Sequence, residues 1–272
     1  MDIMMPAGER HDLSYLKEDS MRILAIHAHP DDIEFLAAGT LYLLKQNGHD
    51  IFIATMTAGD KGSKVMDSVQ TANIRREEAA RAARVVGADY ACLEFGDYEV
   101  FDSDSTRRRT TEHIRRVAPD IILTASPTDY HADHEAASRL TRYASFAVGL
   151  PNYLTGRAAC LEHVPALYYM DPAGGVDLFG RPVEPDFIVN VSSAMECKKD
   201  MLACHESQRD WLRTYHGVDN FLEDMIEWTQ SRGAAYGIPF GEGFRQHLGY
   251  AYPRENVLAR CLPGEVVVYP RG

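Results

Sequence analysis

Hydrophobic positions along this chain follow two periods in turn. Short apolar runs, rich in Ile, Leu, Val and Ala, occupy residues 23–28, 51–57, 91–95 and 121–124, and each has the length of a buried strand. Between them the apolar positions recur every three or four residues. Leu36, Leu41, Leu43 and Leu44 mark a helix over 33–46, and Ala79, Ala82, Ala83 and Val86 mark another over 71–86. Residues 106–117 and 136–148 read as two more. Asn47-Gly48, Gly87 and Pro119 supply stops. Strands alternating with helices imply βαβ units, hence an α/β fold with a mostly parallel sheet flanked by helices. Right-handed crossovers then place the strand-to-helix loops on one edge, so residues 29–32, 59–60 and 126–134 are expected to converge.

The second half is less regular. Residues 166–170 and 187–191 read as strands joined by a Pro/Gly-rich connection, 171–185. Ser192 or Ser193 is expected to cap a long helix running to about residue 213, followed by a helix over 221–229. The organisation expected is a polar extension, residues 1–20, and a single domain, residues 21–272, whose C-terminal portion shapes a substrate pocket.

Composition narrows the function. With 272 residues, 45% of them hydrophobic, the chain can bury a sizeable core. A net charge of −12 argues against nucleic acid or an anionic membrane as partner. Arg107-Arg108-Arg109, with Arg115-Arg116, reads as a solvated helix face. No run approaches the roughly 20 apolar residues of a membrane span, and no apolar leader is seen, so a cytoplasmic protein is expected. The five cysteines are scattered without a Cys-x-x-Cys pair, which suggests neither a disulfide framework nor a thiolate metal site. Cys197 and Cys204 read as shared core packing.

The chemistry concentrates in two loops. His29-Pro30-Asp31-Asp32 follows the first strand, on the edge where open α/β sheets bind ligands. Two carboxylates there would repel a pyrophosphate, which argues against a nucleotide-binding oxidoreductase or methyltransferase. Tyr130-His131-Ala132-Asp133-His134-Glu135 opens a helix after the fourth strand, and His131 and His134, three apart, share one face of a helical turn. Joined to His29 and Asp32, this segment permits a three-ligand His/Asp/His site with an open position, the layout of a catalytic zinc. Singly, Asp31, Asp32 or Asp133 would serve as a helix N-cap and His134 as a surface or core residue; their convergence argues for a site. His27 lies on the same strand face as His29 and reads as supporting or packing against the site more than as a ligand.

These residues, with Ala38-Gly39-Thr40-Leu41, Gly48-His49 and Arg75-x-x-Glu78, make residues 21–245 resemble the LmbE/PIG-L family of zinc-dependent N-deacetylases. The resemblance implies a Rossmann-like fold, one zinc ion per chain, and removal of an N-acetyl group from an N-acetylglucosamine-type sugar or sugar conjugate. It implies His29, Asp32 and His134 as metal ligands and Asp31 as general base. It further implies His131 as oxyanion stabiliser, Asp133 as the carboxylate that orients it, and Arg75 as a substrate contact. Family members usually carry a small residue where this chain has His27, so this is a departure from the family pattern. Asp60 and Asp97, in loops on the same edge, are candidates for binding sugar hydroxyls. His205, in Lys198…His205-x-Ser207-Gln208, belongs to a stretch resembling a family helix motif and is a further substrate-binding candidate; Glu242-Gly243-Phe244-Arg245 resembles a terminal motif. Homo-trimers or hexamers are implied as well. Three matters stay open at this level: zinc or another divalent ion, Asp31 or His131 as proton donor to the leaving amine, and a different small N-acyl amide as substrate. A metal-binding protein without catalysis would have no need of Asp31.

Overall fold

The structure is a computed structural model describing residues 20–209 and 220–268. Residues 1–19 of the expected extension and the end of the expected long helix lie outside the described residues. Eight strands form one sheet: β1 (Arg22–His27), β2 (Asp50–Thr57), β3 (Asp89–Phe95), β4 (Ile121–Thr124), β5 (Ala166–Met170), β6 (Phe187–Asn190), β7 (Gly241–Gln246) and β8 (Val266–Val268). Their order is β3-β2-β1-β4-β5-β7-β6-β8. The first five are mutually parallel, whereas β7 runs antiparallel to both β5 and β6, and β8 antiparallel to β6. The fold is thus α/β with a mixed, mostly parallel sheet.

The helices are α1 (Asp32–Gln46), α2 (Ser68–Val85), α3 (Asp104–Val117), α4 (Ala132–Ala147), α5 (Met195–Ala203), α6 (Phe221–Ala234) and the short α7 (Val257–Cys261). Parallel strands covered on both faces need apolar residues on both, and β1 supplies them alternately. Ile23 and Ala25 join a core with Leu41 and Leu44 of α1, Ala82 of α2 and Met201 of α5. Leu24 and Ile26 join the opposite core with Ile114 of α3 and Leu140 and Ala144 of α4. The chain leaves β1 for β2 on one side and returns to β4 on the other, so the loops after β1 and β4 flank a switch point, where such sheets bind ligands.

The sequence gives no period-2 signal for β7, Gly-Glu-Gly-Phe-Arg-Gln. Its role is explained by α1. The Glu242 carboxylate accepts hydrogen bonds from the Gly39 and Thr40 amides at 2.9 and 2.7 Å, and Lys198 Nζ bridges Glu242, at 2.5 Å, to the Phe35 carbonyl, at 2.7 Å. A Cβ on Gly39 would stand 2.7 Å from Val191 Cβ, so only glycine lets α1 approach this closely. The motif around Lys198 and the terminal one around Glu242 therefore meet as one buried ion pair anchored in the first helix.

Three expectations need correction. The long helix is interrupted: residues Ser192–Ala194 form a 3₁₀ turn, α5 ends at Ala203, and helix resumes after His205. Ser192 does not cap α5, because its hydroxyl is bound to Asn190 Oδ1 at 2.7 Å. Arg115 is not solvated; it is buried and donates to the carbonyls of Val148, Leu150 and Tyr153, fastening the chain beyond α4. Arg107 and Arg108 do lie on a surface, paired with Asp102 and Asp104. Among the described residues no helix is long and apolar enough to cross a membrane.

Candidate metal-dependent active site

β1 delivers His27 to the crevice, and the chain then turns sharply at Asp31, whose φ of 97° is a left-handed conformation for a non-glycine residue. Such a conformation costs roughly 1–2 kcal/mol. Asp31 occupies the N-cap position of α1 without making a side-chain cap bond, so capping does not explain it. Arg75, buried on α2, holds the turn: Nη2 donates to Pro30 O at 2.7 Å, Nη1 donates to Gly59 O at 3.2 Å, and Nη2 also lies 3.4 Å from Asp31 Oδ2. The guanidinium expected to contact substrate is thus spent on the loop and on the carboxylate beside it.

At the end of β4, His131 is the N-cap of α4, its Nδ1 accepting the Asp133 amide at 3.1 Å, and His134 sits in the first turn. The two rings stack with centroids 5.0 Å apart. Across the crevice, His29 Nδ1 is 3.3 Å from His134 Nε2 and 3.5 Å from Asp32 Oδ2, while His134 Nε2 is 3.4 Å from Asp32 Oδ1. A tetrahedral zinc with ligands at about 2.0–2.1 Å separates its donor atoms by about 3.3–3.4 Å. The His29–His134 separation and that of His134 from Asp32 Oδ1 match this spacing, while His29 Nδ1 lies nearest the other oxygen of Asp32. Donor atoms of His29, His131 and His134 also lie within 4.8 Å of one another, as do those of His27, Asp32 and His134.

The electrostatics agree with a site built for positive charge. For His29, burial opposes the cation, but hydrogen bonds to Asp133 and Asp32 outweigh it and raise its pKa to about 9. For His134, burial is again outweighed, by Asp32 and Asp129, and the pKa rises to about 10. Asp32 is held well below the usual carboxylate range, burial notwithstanding, by His134 and His27. Without an ion the cradle draws protons onto its imidazoles; a divalent cation replaces them. Asp31 behaves differently: burial, with some repulsion from Asp32, pushes it up to about 6 against the pull of Arg75. Two adjacent carboxylates are therefore driven apart in acidity, the pattern that separates a ligand from a base.

Asp129, which the sequence reading passed over, is buried beneath His134. Its Oδ1 accepts from His134 Nδ1 at 3.0 Å and from the His131 amide at 3.2 Å, and its Oδ2 accepts from the Ala173 amide at 3.1 Å. This carboxylate fixes the His134 tautomer so that Nε2 faces the crevice. The available signal was its place two residues before His131, in the loop that carries the motif.

The remaining candidates fall at varying distances from the reaction centre. The Asp133 carboxylate meets His29 Nε2 at 3.4 Å and the Tyr98 amide at 2.6 Å, and it is the Asp133 amide, not the carboxylate, that holds the His131 ring. Burial and the neighbouring His29 and His134 lower the pKa of His131, consistent with a neutral ring accepting at Nδ1. Asp97 is buried and binds the Thr57 hydroxyl and the Lys61 amide, while Asp60 binds the Asp97 amide and the Ser68 hydroxyl; both carboxylates knit the loops after β2 and β3 together. His205 is fully buried, with Nε2 3.3 Å from Glu34 Oε1, and its pKa is raised because Glu34 outweighs burial. It lies outside the pocket wall.

That pocket is a cavity of about 230 Å³ with Asp31, Asp32 and His134 at one end and Phe35, Tyr130 and Phe221 among its walls. A larger cleft of about 600 Å³, lined by Arg139, Arg142, Tyr143 and Tyr250 among others, contains none of the site residues. Chemistry rather than size identifies the site.

A crevice at the switch point of a mostly parallel sheet, bringing two histidines and an aspartate together beside a separate carboxylate, defines a candidate metal-dependent active site. Residues 24–145 match the family described as PIG-L, GlcNAc-PI de-N-acetylase. It is 28% identical over 201 residues to a diacetylchitobiose deacetylase of Thermococcus kodakarensis, covering 70% of this chain and 71% of that protein. It is 26% identical over 232 residues to a 4-oxalmesaconate hydratase of Pseudomonas putida, covering 82% and 87%. Among solved structures, a conserved protein of Thermus thermophilus aligns with a TM-score of 0.69 at 27% identity over 85% of this chain and 97% of that one.

Proposed function

We propose that this protein is a metal-dependent amide hydrolase that removes the N-acetyl group from an N-acetylglucosamine-type sugar or conjugate, with one zinc ion held by His29, Asp32 and His134. The observation that carries the reading is the 3.3–3.4 Å spacing of His134 Nε2 from His29 Nδ1 and from Asp32 Oδ1, beside an Asp31 whose pKa is raised by burial. An ion held by His29, Asp32 and His134 would lower the pKa of a bound water from 15.7 towards about 7 and would polarise a carbonyl. Asp31 accepts the proton of the attacking water, work worth about 10²- to 10⁴-fold. Arg75 fixes the orientation of that carboxylate. His131, neutral and donating from Nε2, faces the oxygen on which charge develops. The protonated Asp31 then returns its proton to the departing nitrogen. Phe35, Tyr130 and Phe221 line the pocket beside the site and offer apolar faces to a sugar ring.

A second reading, addition of water to a carbon–carbon double bond, is favoured by the similarity to the 4-oxalmesaconate hydratase. Carboxylate-rich substrates of that kind call for cations in the pocket, and the residues lining this one include no lysine or arginine, His134 being the one basic side chain. The test is acetate release from N-acetylglucosamine and a panel of its conjugates by metal-analysed protein, before and after chelation. Activity that the chelator abolishes and zinc restores supports the hydrolase. Ultraviolet absorbance loss from an unsaturated dicarboxylate, with no acetate from any amide, would transfer the assignment to the hydratase.

A further inference from the structure

We infer that His27 is a positioning residue for the metal centre, holding the Asp32 carboxylate so that only Oδ1 is free to ligate. The inference rests on the metal-site reading above and goes beyond it. Asp32 Oδ2 is occupied twice from within the chain: His27 Nδ1 lies 2.6 Å away and the His29 amide donates to it at 2.8 Å. Oδ1 carries no such load and faces His134 Nε2 at 3.4 Å. A carboxylate with one oxygen saturated by two donors binds a cation through the other. One-point attachment keeps the ligand number low, as a four-coordinate catalytic ion requires.

The tautomer follows from the same contact. A separation of 2.6 Å from an ionised carboxylate requires the proton on Nδ1. The Ala28 amide, 2.9 Å from that nitrogen, is the weaker claimant, because satisfying it would leave a carboxylate facing a lone pair. Nε2 is then an unprotonated nitrogen, and it is buried without a partner. An unsatisfied buried acceptor costs free energy, and a residue that served only packing would not need to carry one. The His27 ring also abuts His134 edge-on, with centroids 4.7 Å apart, so it braces a second ligand. His27 does not contact the reacting atoms; it acts through Asp32.

Because Asn places its amide nitrogen near where His carries Nδ1, and Gln places it nearer to Nε2, two variants of similar polarity separate the hypotheses. Zinc affinity would be measured by chelator competition, and ligand number by the visible absorption of the cobalt-substituted protein, which is intense at low coordination and weak at high. His27→Ala and His27→Gln are expected to bind zinc about 10- to 100-fold more weakly and to shift cobalt towards the weak spectrum. His27→Asn is expected to keep both properties near the parent's. Parent-like zinc affinity and cobalt spectrum in His27→Gln would overturn the inference, whether or not His27→Ala folds. If the unaltered chain bound neither metal, the proposed function would fall with it; if it bound both and the variants did too, only the role of His27 would fall.

Discussion

Replacing Asp129 is the sharpest probe of how the site is built, because this residue touches neither the ion nor the substrate. Its carboxylate accepts three hydrogen bonds, from His134 Nδ1, the His131 amide and the Ala173 amide, in a position 1% exposed. Truncation to alanine leaves three buried donors unsatisfied at about 1–3 kcal/mol each, enough to jeopardise the fold and make that variant uninformative. Asp129→Asn keeps the volume. With its carbonyl towards His134 and His131, its amide group faces the Ala173 N–H, a single donor–donor conflict of about 1–3 kcal/mol. The larger consequence is lost charge. A neutral acceptor polarises the His134 ring less, and removal of such a partner weakens metal binding about 10- to 100-fold, or about 1.4–2.8 kcal/mol by the tenfold-per-1.4 rule. The assay is zinc competition against a chromophoric chelator well below the melting temperature, with thermal unfolding followed separately on metal-free protein. The metal-free His134, raised to about 10 by Asp32 and Asp129, should also titrate lower in the variant. Asp129→Asn protein that holds zinc within twofold of the parent would refute the reasoning.

Asp31→Asn should retain zinc and fold at least as well as the parent, since Asn tolerates the left-handed turn and no longer buries a charge, while turnover falls about 10²- to 10⁴-fold; survival of both activity and zinc would reassign the base. Stability of the metal-free protein should decline on the alkaline side. The raised pKa values of His29 and His134 add stability that is full below about 6.5 and is lost as pH rises through about 9 and 10. Zinc-loaded protein should show the opposite slope near neutrality because binding displaces those protons, and parallel thermal melts against pH, with and without chelator, decide the matter. Lys198→Met should destabilise by about 3–5 kcal/mol by leaving Glu242 buried without its cation. In urea titrations the double variant with Glu242→Gln should recover part of that loss, and equal destabilisation of single and double variants would contradict the pairing.

The parallel half of the sheet was legible because its signals are local. β1, β2 and β4 are apolar runs bounded by turn residues, and the helices between them carry their own periodicity and stops, so the parallel direction of these strands followed from alternation. The antiparallel half depends on contacts between distant segments. β7 is glycine-rich because it lies against other elements: a Cβ on Gly241 would meet Ile188 and Gly233, and Glu242 must reach Gly39, some two hundred residues earlier. No window of sequence contains that requirement.

The site divides along the same line. His29, Asp32 and His134 could be nominated from two motifs, each in one loop, because the sheet's topology brings those loops together whatever else the chain does. What each neighbouring carboxylate does could not be nominated that way. Asp60, Asp97 and Asp129 all sit in loops on the same edge and look alike in sequence, yet the first two tie loops to each other whereas Asp129 lies under His134. Asp31 and Asp32 are adjacent and identical, yet burial raises Asp31 more than Arg75 lowers it, whereas His134 and His27 hold Asp32 low against the same burial. Residue type sets the chemistry available at this edge. Backbone conformation and the donors already bound to each oxygen decide which carboxylate remains free to use it.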